Sequence, residues 1–584
     1  MNILAIDIGG TMIKYGLVSS DGEILSTNKI ETEAEKGLEN ILNKINNIFK
    51  KYKEKEGSGM EFLVGLVPIV VFLILLTFLK KSAMFSAYAS LVVAIILNFV
   101  MPGWRMPIQG VFASIIEGFA TAWMPIGFVV FAALFAYDLS VKTGKIETIK
   151  SMLGSISTDK RAQALILAWG FGGFIEGIAG YGTAVAIPAA IMISLGFSPM
   201  TAAMICLIAN STPTAFGTVG LPVTTMISNF GLNAQQTALF TSLLLLILTC
   251  IIPFILVVFA NKEMDGGKNP AFGKGILPVI IASIIGYMVQ PLIAMATGAE
   301  LPTIISSLIA MILMIVATKM FVKAEEGFET VAVSTKDAIL AWLPYILMVV
   351  LIVGTSPVVK VINEPLHEHT ISTIDFSFGH WATWFRDAKS AKEAGVAFKW
   401  ILAPAAPLFA ATVIAGFIQK VKVKDMVEVL GHTIYHKLDK MLVIMGIVAL
   451  SVVMKHSGMT ASIADGLKTL TGSGFPFIAP FLGTIGTFVT GSDLSSNLLF
   501  GGIQVGVAKG LSQNPALQSL LIAANTAGAT GGKMISPQNI AIVTSVSAAL
   551  NGKDGELLGK TIKYSVLYGL VLGILTFVGA GMIH

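Results

Sequence analysis

The sequence predicts an all-α polytopic membrane protein of about 12–14 transmembrane helices, with two inverted repeats and broken or re-entrant helices, behind a small α/β fragment. Three observations carry this: scarce charge, long apolar runs, and Gly-rich polar interruptions that recur in both halves. The 584 residues are 54% hydrophobic and 12% charged, with a mean hydropathy of +0.80. An ordinary soluble domain is about 25% charged, so half that value points to lipid as the solvent. Apolar runs at 61–79, 236–260, 302–318, 338–354 and 562–582 reach or approach the ~20 residues that span a bilayer.

The net charge of +5 is small and sits in the connections. It reads as loop bias toward a cytoplasmic leaflet and excludes a nucleic-acid footprint. Cys206 and Cys250 lie in apolar stretches, as buried residues without a disulfide framework or a metal site.

The first 56 residues differ in kind, being polar, Lys/Glu-rich and ending KKYKEKE. Gly57-Ser58-Gly59 follows, then Met60 and an apolar run. A Gly-Ser linker ahead of a methionine has the look of a fusion junction. The domains are therefore drawn as 1–56, an inert fragment; 57–59, a linker; and 60–584, the membrane domain.

The fragment opens MNILAIDIGGTMIKYGLVSSDGEIL. An apolar strand over 3–6 would deliver a Gly-rich hairpin whose N–H groups approach phosphate. A second strand would run 12–18, with a turn at Ser20-Asp21-Gly22. A helix carries Leu38, Ile41, Leu42, Ile45, Ile48 and Phe49 at apolar spacing. The segment resembles the start of the ROK family of sugar kinases and repressors, with Asp7, Gly9, Gly10 and Thr11 matching its phosphate turn. Only about the first fifth of such a kinase is covered. A strand pair and one helix cannot close a nucleotide cleft, so the turn is vestigial and no kinase chemistry is expected.

Two stretches of the membrane part share a plan. GFIEGIAGYGTAVAIPAA leads to Pro199 and IANSTPTAFGTVG; GTFVTGSDLSSNLLFGG leads to Pro515 and AANTAGATGGKMISPQ. Gly177 precedes Asn210 by 33 positions and Gly491 precedes Asn525 by 34. Irregular backbone at membrane depth is tolerated where protein or a water-filled cavity covers it. Paired interruptions in two halves are the best sequence pointer to a transporter's binding site. Helix N-termini exposed by such breaks suit a carboxylate. The competing reading is that Gly-rich helices merely pack closely.

The strings FIEGIAGYGTAVAI, LIANSTPTAFGTVGLP, FLGTIGTFVTGSDLSSNLLF and AANTAGATGGKMISPQNIAI resemble signature segments of the bacterial L-lactate permease family. SVKTGKIETIKSMLGSIS resembles it too, and the resemblance covers essentially all of 60–584. It implies proton-coupled symport of L-lactate, with D-lactate and glycolate as further short 2-hydroxy acids. It also implies a multi-pass protein of the bacterial cytoplasmic (inner) membrane. No cofactor beyond the proton gradient and no nucleic-acid partner is implied; the partners are the substrate and the lipid bilayer. A homodimer and an elevator motion enter by analogy alone.

An ionisable group at membrane depth costs about 2.5–3.5 kcal/mol on insertion scales, so each is a functional candidate. Glu176, in the first break, is preferred as the proton site because its neighbours are mostly apolar. Asp493, in the third, is flanked by Ser492, Ser495, Ser496 and Asn497, a hydrogen-bonding set that favours its charged form. Lys533 can pair with a substrate carboxylate, snorkel to the interface, or pair with Asp493. Asn210, Ser211, Thr212, Asn525 and Thr526 can read the carboxylate and the 2-hydroxyl, with Tyr181 and Thr183 as added donors. Glu117 is a weaker candidate, and Lys455 and His456 read as interfacial. The loop 355–398 holds His367, His369 and His380, read as a polar external loop and not as a metal site.

Two alternatives stay open. One is a sodium-coupled carboxylate carrier; the other, contradicted by the missing motifs, is a membrane-anchored sugar kinase.

Basic clusters at Lys142–Arg161 and Lys420–Lys440 place those connections in the cytoplasm and, counting back, Met60 outside. Lys44, Lys50, Lys51, Lys53 and Lys55 oppose that placement. We expect impaired or mixed insertion of the first helix, read by protease protection of the N-terminus on oriented vesicles. A uniformly external tail would refute it.

Overall fold

The computed structural model describes residues 3–8, 11–18, 24–36, 38–104, 106–180, 182–264, 270–273, 275–323, 333–356, 358–369, 371–375 and 395–583. Two compact units divide the chain, Met1–Leu66 and Val67–His584.

In the first unit, strands β1 (Ile3–Ile8), β2 (Met12–Val18) and β3 (Ile24–Glu31) form an antiparallel sheet in that order. The first two match the expected strands, and β3 was not anticipated. Ile13 and Tyr15 form a small core with Ile6, Ile30 and Ile41 packed on it. Glu33 accepts from Lys36 at 2.8 Å and from Lys44 at 2.6 Å. These hydrogen bonds, Lys36 first, hold its carboxyl down to about 2. Helix α1 (Leu38–Thr77) includes Gly57-Ser58-Gly59, so the expected linker is helical. The turn at Ser20-Asp21-Gly22 lies outside the described residues, as do Gly9 and Gly10. Asp7 and Thr11 are exposed.

Among the described residues, nine helices are long and apolar enough to cross a membrane, or ten if a bent pair counts as one span. They include α2 (Ala83–Val100) and α3 (Ile108–Lys142). The expected 12–14 also counted segments too polar or too short for that measure, such as the Ser-, Asn- and Gly-rich helices beside the breaks.

Those helices repeat a plan. In the first repeat, α4 (Gly172–Ile178) breaks before α5 (Thr183–Ser194). Then α6 (Pro199–Ala209) bends by 47° into the segment Thr212–Phe230, which contains α7 (Gly217–Phe230). Helix α8 (Ala234–Asn261), α9 (Ile276–Thr297) and α10 (Pro302–Phe321) follow. Next come α11 (Thr335–Thr355), α12 (Ala405–Ile418), α13 (Val423–Ser457) and α14 (Met459–Thr471). In the second repeat, α15 (Phe475–Thr490) breaks before α16 (Asp493–Leu511), and α17 (Pro515–Lys533) breaks before α18 (Pro537–Thr544). The chain closes with α19 (Asp554–Ile583).

The sequence sets these breaks locally. Ser198 and Asn514, each followed by Pro, cap α6 and α17 through side-chain oxygens that accept backbone N–H groups. Gly491, at φ +72°, ends α15 in the left-handed conformation that glycine adopts without strain. Thr218, Val219 and Gly220 form three successive left-handed residues at φ +49°, +56° and +71°. Val219 is β-branched and costs strain there. A Cβ on Gly220 would lie 2.0 Å from Ala299 O, so this turn is pressed against the α9–α10 connection.

Contacts across the repeats are reciprocal. Glu176, at the first break of repeat one, pairs with Lys533, at the second break of repeat two. Asn497, just past the first break of repeat two, donates to Pro222 O, just past the second break of repeat one. Each contact thus joins the first break of one repeat to the second break of the other.

The loop read as polar and external contains an antiparallel pair, Ile371–Asp375 with Gly395–Lys399. His380 lies outside the described residues, and nothing is described of the side chains of His367 and His369.

Helices α15 and α17 meet backbone to backbone. A Cβ on Gly528 would lie 1.8 Å from Pro480 O, and one on Gly532 would lie 2.3 Å from Thr484 O. This small-xxx-small spacing lets membrane helices touch without side chains between them. Gly528→Ala is expected to destabilise the protein by about 1–3 kcal/mol through overpacking. Gly559→Ala meets nothing within 4 Å and is expected to be neutral. Thermal unfolding of the two detergent-purified variants checks the contrast.

Candidate functional site

A cavity of about 270 Å³ opens where the four breaks meet. Its wall takes Glu176 and Gly182 from the first break, and Thr214, Gly217 and Thr218 from the second. The third supplies Thr490, Gly491, Ser492, Asp493 and Ser495, and the fourth Lys533, Gln538 and Asn539. Asp439 and Lys440 of α13 join from outside the repeats, and Leu221, Val443, Ile444, Leu494 and Ile542 add an apolar face. Such a space holds a small organic acid with several waters.

Its charged centre is buried. Glu176, Asp493 and Lys533 are 2%, 3% and 6% exposed. Lys533 Nζ donates to Glu176 Oε1 at 2.7 Å and to Thr214 Oγ1 at 3.0 Å. Lys533 therefore neither reaches the interface nor pairs with Asp493. An ammonium has three donors, and these two partners leave one. Gly217 makes room for Glu176, since a Cβ there would lie 2.7 Å from Oε1.

Asp493 stands differently from the expectation. Neither carboxyl oxygen has a hydrogen-bond partner among the described residues. The flanking polar groups are turned to other tasks. Ser492 Oγ accepts from the Ser495 N–H, Ser496 Oγ donates to Gly483 O, and Asn497 Nδ2 donates to Pro222 O and Thr526 Oγ1. Glu176 thus has an ion pair, and Asp493 has no donor among the described residues.

The other candidates divide. Ser492 and Ser495 line the cavity. Asn497, Asn525 and Thr526 do not; they form a buried amide network. In it Asn525 Nδ2 donates to Asn497 Oδ1 at 2.8 Å and Gln504 Nε2 donates to Asn525 Oδ1 at 3.0 Å. Asn210, Ser211 and Thr212 are buried but are not among the lining residues. Both polar atoms of the Asn210 side chain, and Thr212 Oγ1, have no partner among the described residues. Ser211 and Thr183 donate to backbone carbonyls at 2.7 Å. Tyr181 lies outside the described residues.

His456 is buried and is not interfacial. Its Nε2 lies 2.9 Å from Glu117 Oε2, tying α13 to α3 away from the cavity. Thr214, Thr218, Gln538 and Asn539 were missed. All four sit within or beside the polar interruptions, so proximity to a break was the available signal. Asp439 and Lys440 had none, because α13 belongs to neither repeat.

Broken repeats around a charged central cavity define a polytopic membrane transporter. Residues 61–583 match the family model described as L-lactate permease, and residues 3–82 match the ROK family model. The chain belongs to the L-lactate permease family, as a multi-pass protein of the bacterial inner membrane. An L-lactate permease of Streptococcus iniae is 38% identical over 78% of this chain and 92% of that relative. A glycolate permease of Escherichia coli K12 is 32% identical over 91% of this chain and 97% of that relative. A solved structure of Neisseria gonorrhoeae MtrF covers 80% of this chain and 83% of that one, at 14% identity and a TM-score of 0.43.

The wall and the network should respond differently to substitution. Asn525→Ala removes the donor to Asn497 Oδ1 and one of the two acceptors of Gln504 Nε2, which keeps Ala479 O, and is expected to destabilise by about 1–3 kcal/mol. Ser495→Ala is expected to change the KM for transport and leave thermal stability within about 0.5 kcal/mol of the parent. Paired melting and uptake measurements on the two variants check this.

Proposed function

We propose that residues 60–584 carry out proton-coupled symport of L-lactate and related short 2-hydroxy acids, glycolate included. The observation that carries the reading is one buried lysine facing two buried carboxyl groups in a cavity at the meeting of the breaks. The substrate names come from the relatives. Lys533 is the anion anchor, offering its remaining N–H to the substrate carboxylate. Asp493 is the proton carrier, because protonating it breaks no ion pair, whereas protonating Glu176 would cost the bond to Lys533.

Charge supports one proton per substrate. Lys533 with ionised Glu176 and Asp493 leaves the centre at net −1, and Asp439 and Lys440 cancel. A monocarboxylate adds one negative charge, and a proton on Asp493 restores the balance. Desolvated charge is costly at membrane depth, so the loaded centre favours that proton. No metal-ligand cluster of three or more His, Cys, Asp or Glu occurs among the described residues.

Proteoliposome uptake of labelled L-lactate tests this, with and without residues 1–59. Accumulation should follow an inside-alkaline pH gradient, collapse with a proton ionophore, and persist when choline replaces sodium. Asp493→Asn should lose uphill uptake and keep lactate exchange. Dependence on sodium, or full accumulation by Asp493→Asn, would overturn the proton assignment.

A further inference from the structure

We infer that Glu176 is a built-in competitor of the substrate: a fixed carboxylate that occupies the lysine's anion position and weakens lactate binding so that the substrate can leave. The inference rests on the reading of Lys533 as the substrate anchor.

The geometry gives the reason. Glu176 Oε1 sits 2.7 Å from Lys533 Nζ, as a substrate carboxylate would. Glu176 Oε2 is buried and has no partner among the described residues. Gly217 and Gly180 face Glu176 Oε1, at 2.7 and 3.5 Å from where their Cβ atoms would be. The two glycines thus leave the acid the space that a side chain at either position would take. Thr214 takes a second N–H of Lys533 at 3.0 Å. A substrate carboxylate must use the third beside Glu176, or push Glu176 aside. In the first case two carboxylates share one ammonium at short range, where like charges repel strongly in a poorly hydrated site. In the second, a buried ion pair is broken. Either way Glu176 sets an upper bound on affinity. A carrier that bound its anion through an unopposed buried lysine would hold it too long to release.

A residue that reads the substrate weakens binding when removed; a competitor strengthens it. The test is equilibrium binding of labelled L-lactate to the purified full chain, paired with proteoliposome uptake. Glu176→Gln, close in shape, should bind about tenfold more tightly or better. It should also transport with a lower KM and a lower maximal rate. Glu176→Asp keeps the charge but draws it back by one methylene, and should fall between. Thr214→Val removes the neutral partner and should not tighten binding. Unchanged or weaker binding in both Glu176 variants, with wild-type protein binding lactate, overturns the inference alone. Wild-type protein that neither binds nor transports lactate overturns the substrate reading and this inference with it.

Discussion

A lysine at membrane depth has to be neutralised, and pairing Lys533 with Glu176 does this across 357 positions of sequence. The surrounding architecture serves that pairing. The first break brings Glu176 to the centre, the fourth brings Lys533, and the glycines at 180 and 217 leave the acid its room. The left-handed turn over Thr218–Gly220 carries the second break past the acid at a cost in backbone strain. The contact between Asn497 and Pro222 O ties the third break to the second.

Polar residues around the breaks fall into two groups with different physical jobs. Thr214, Ser492, Ser495, Gln538 and Asn539 face open space. Asn497, Gln504, Asn525 and Thr526 bond to one another and hold α16 to α17. Hydrogen bonds between buried amides are strong where water is excluded, so they fix the two helices in one register. The same residue types thus define an interior in one place and a binding surface in the other.

Much of this was legible in the sequence. The scarcity of charge gave the class of protein, and the repeated Gly-rich interruptions gave the cavity's location. Glu176, Asp493 and Lys533 were found because ionisable residues in apolar surroundings are rare. Partnership was not legible. Asp493 has four polar neighbours in sequence, yet none bonds to its carboxyl group, and Ser496 and Asn497 donate to other helices. Asn210 and Asn525 occupy matching places in the pattern but do not share an environment: one has no partner among the described residues and the other lies in a network. His456 next to Lys455 looked like a helix end at the interface, and its pairing with Glu117 depends on a contact 339 positions away. Local pattern reports which segments are irregular; long-range packing decides which side chains meet.

The glycine contact between α15 and α17 has a kinetic meaning. With Gly528 and Gly532 against the carbonyls of Pro480 and Thr484, the last turn of α17 has no slack relative to its neighbour. The backbone that carries Lys533 is therefore fixed against α15, and the freedom left at that end of the helix belongs to the side chain. Collective helix movements take microseconds to milliseconds. A movement on that scale must carry α15 and α17 together as one body, because their backbones leave no room to slide past each other.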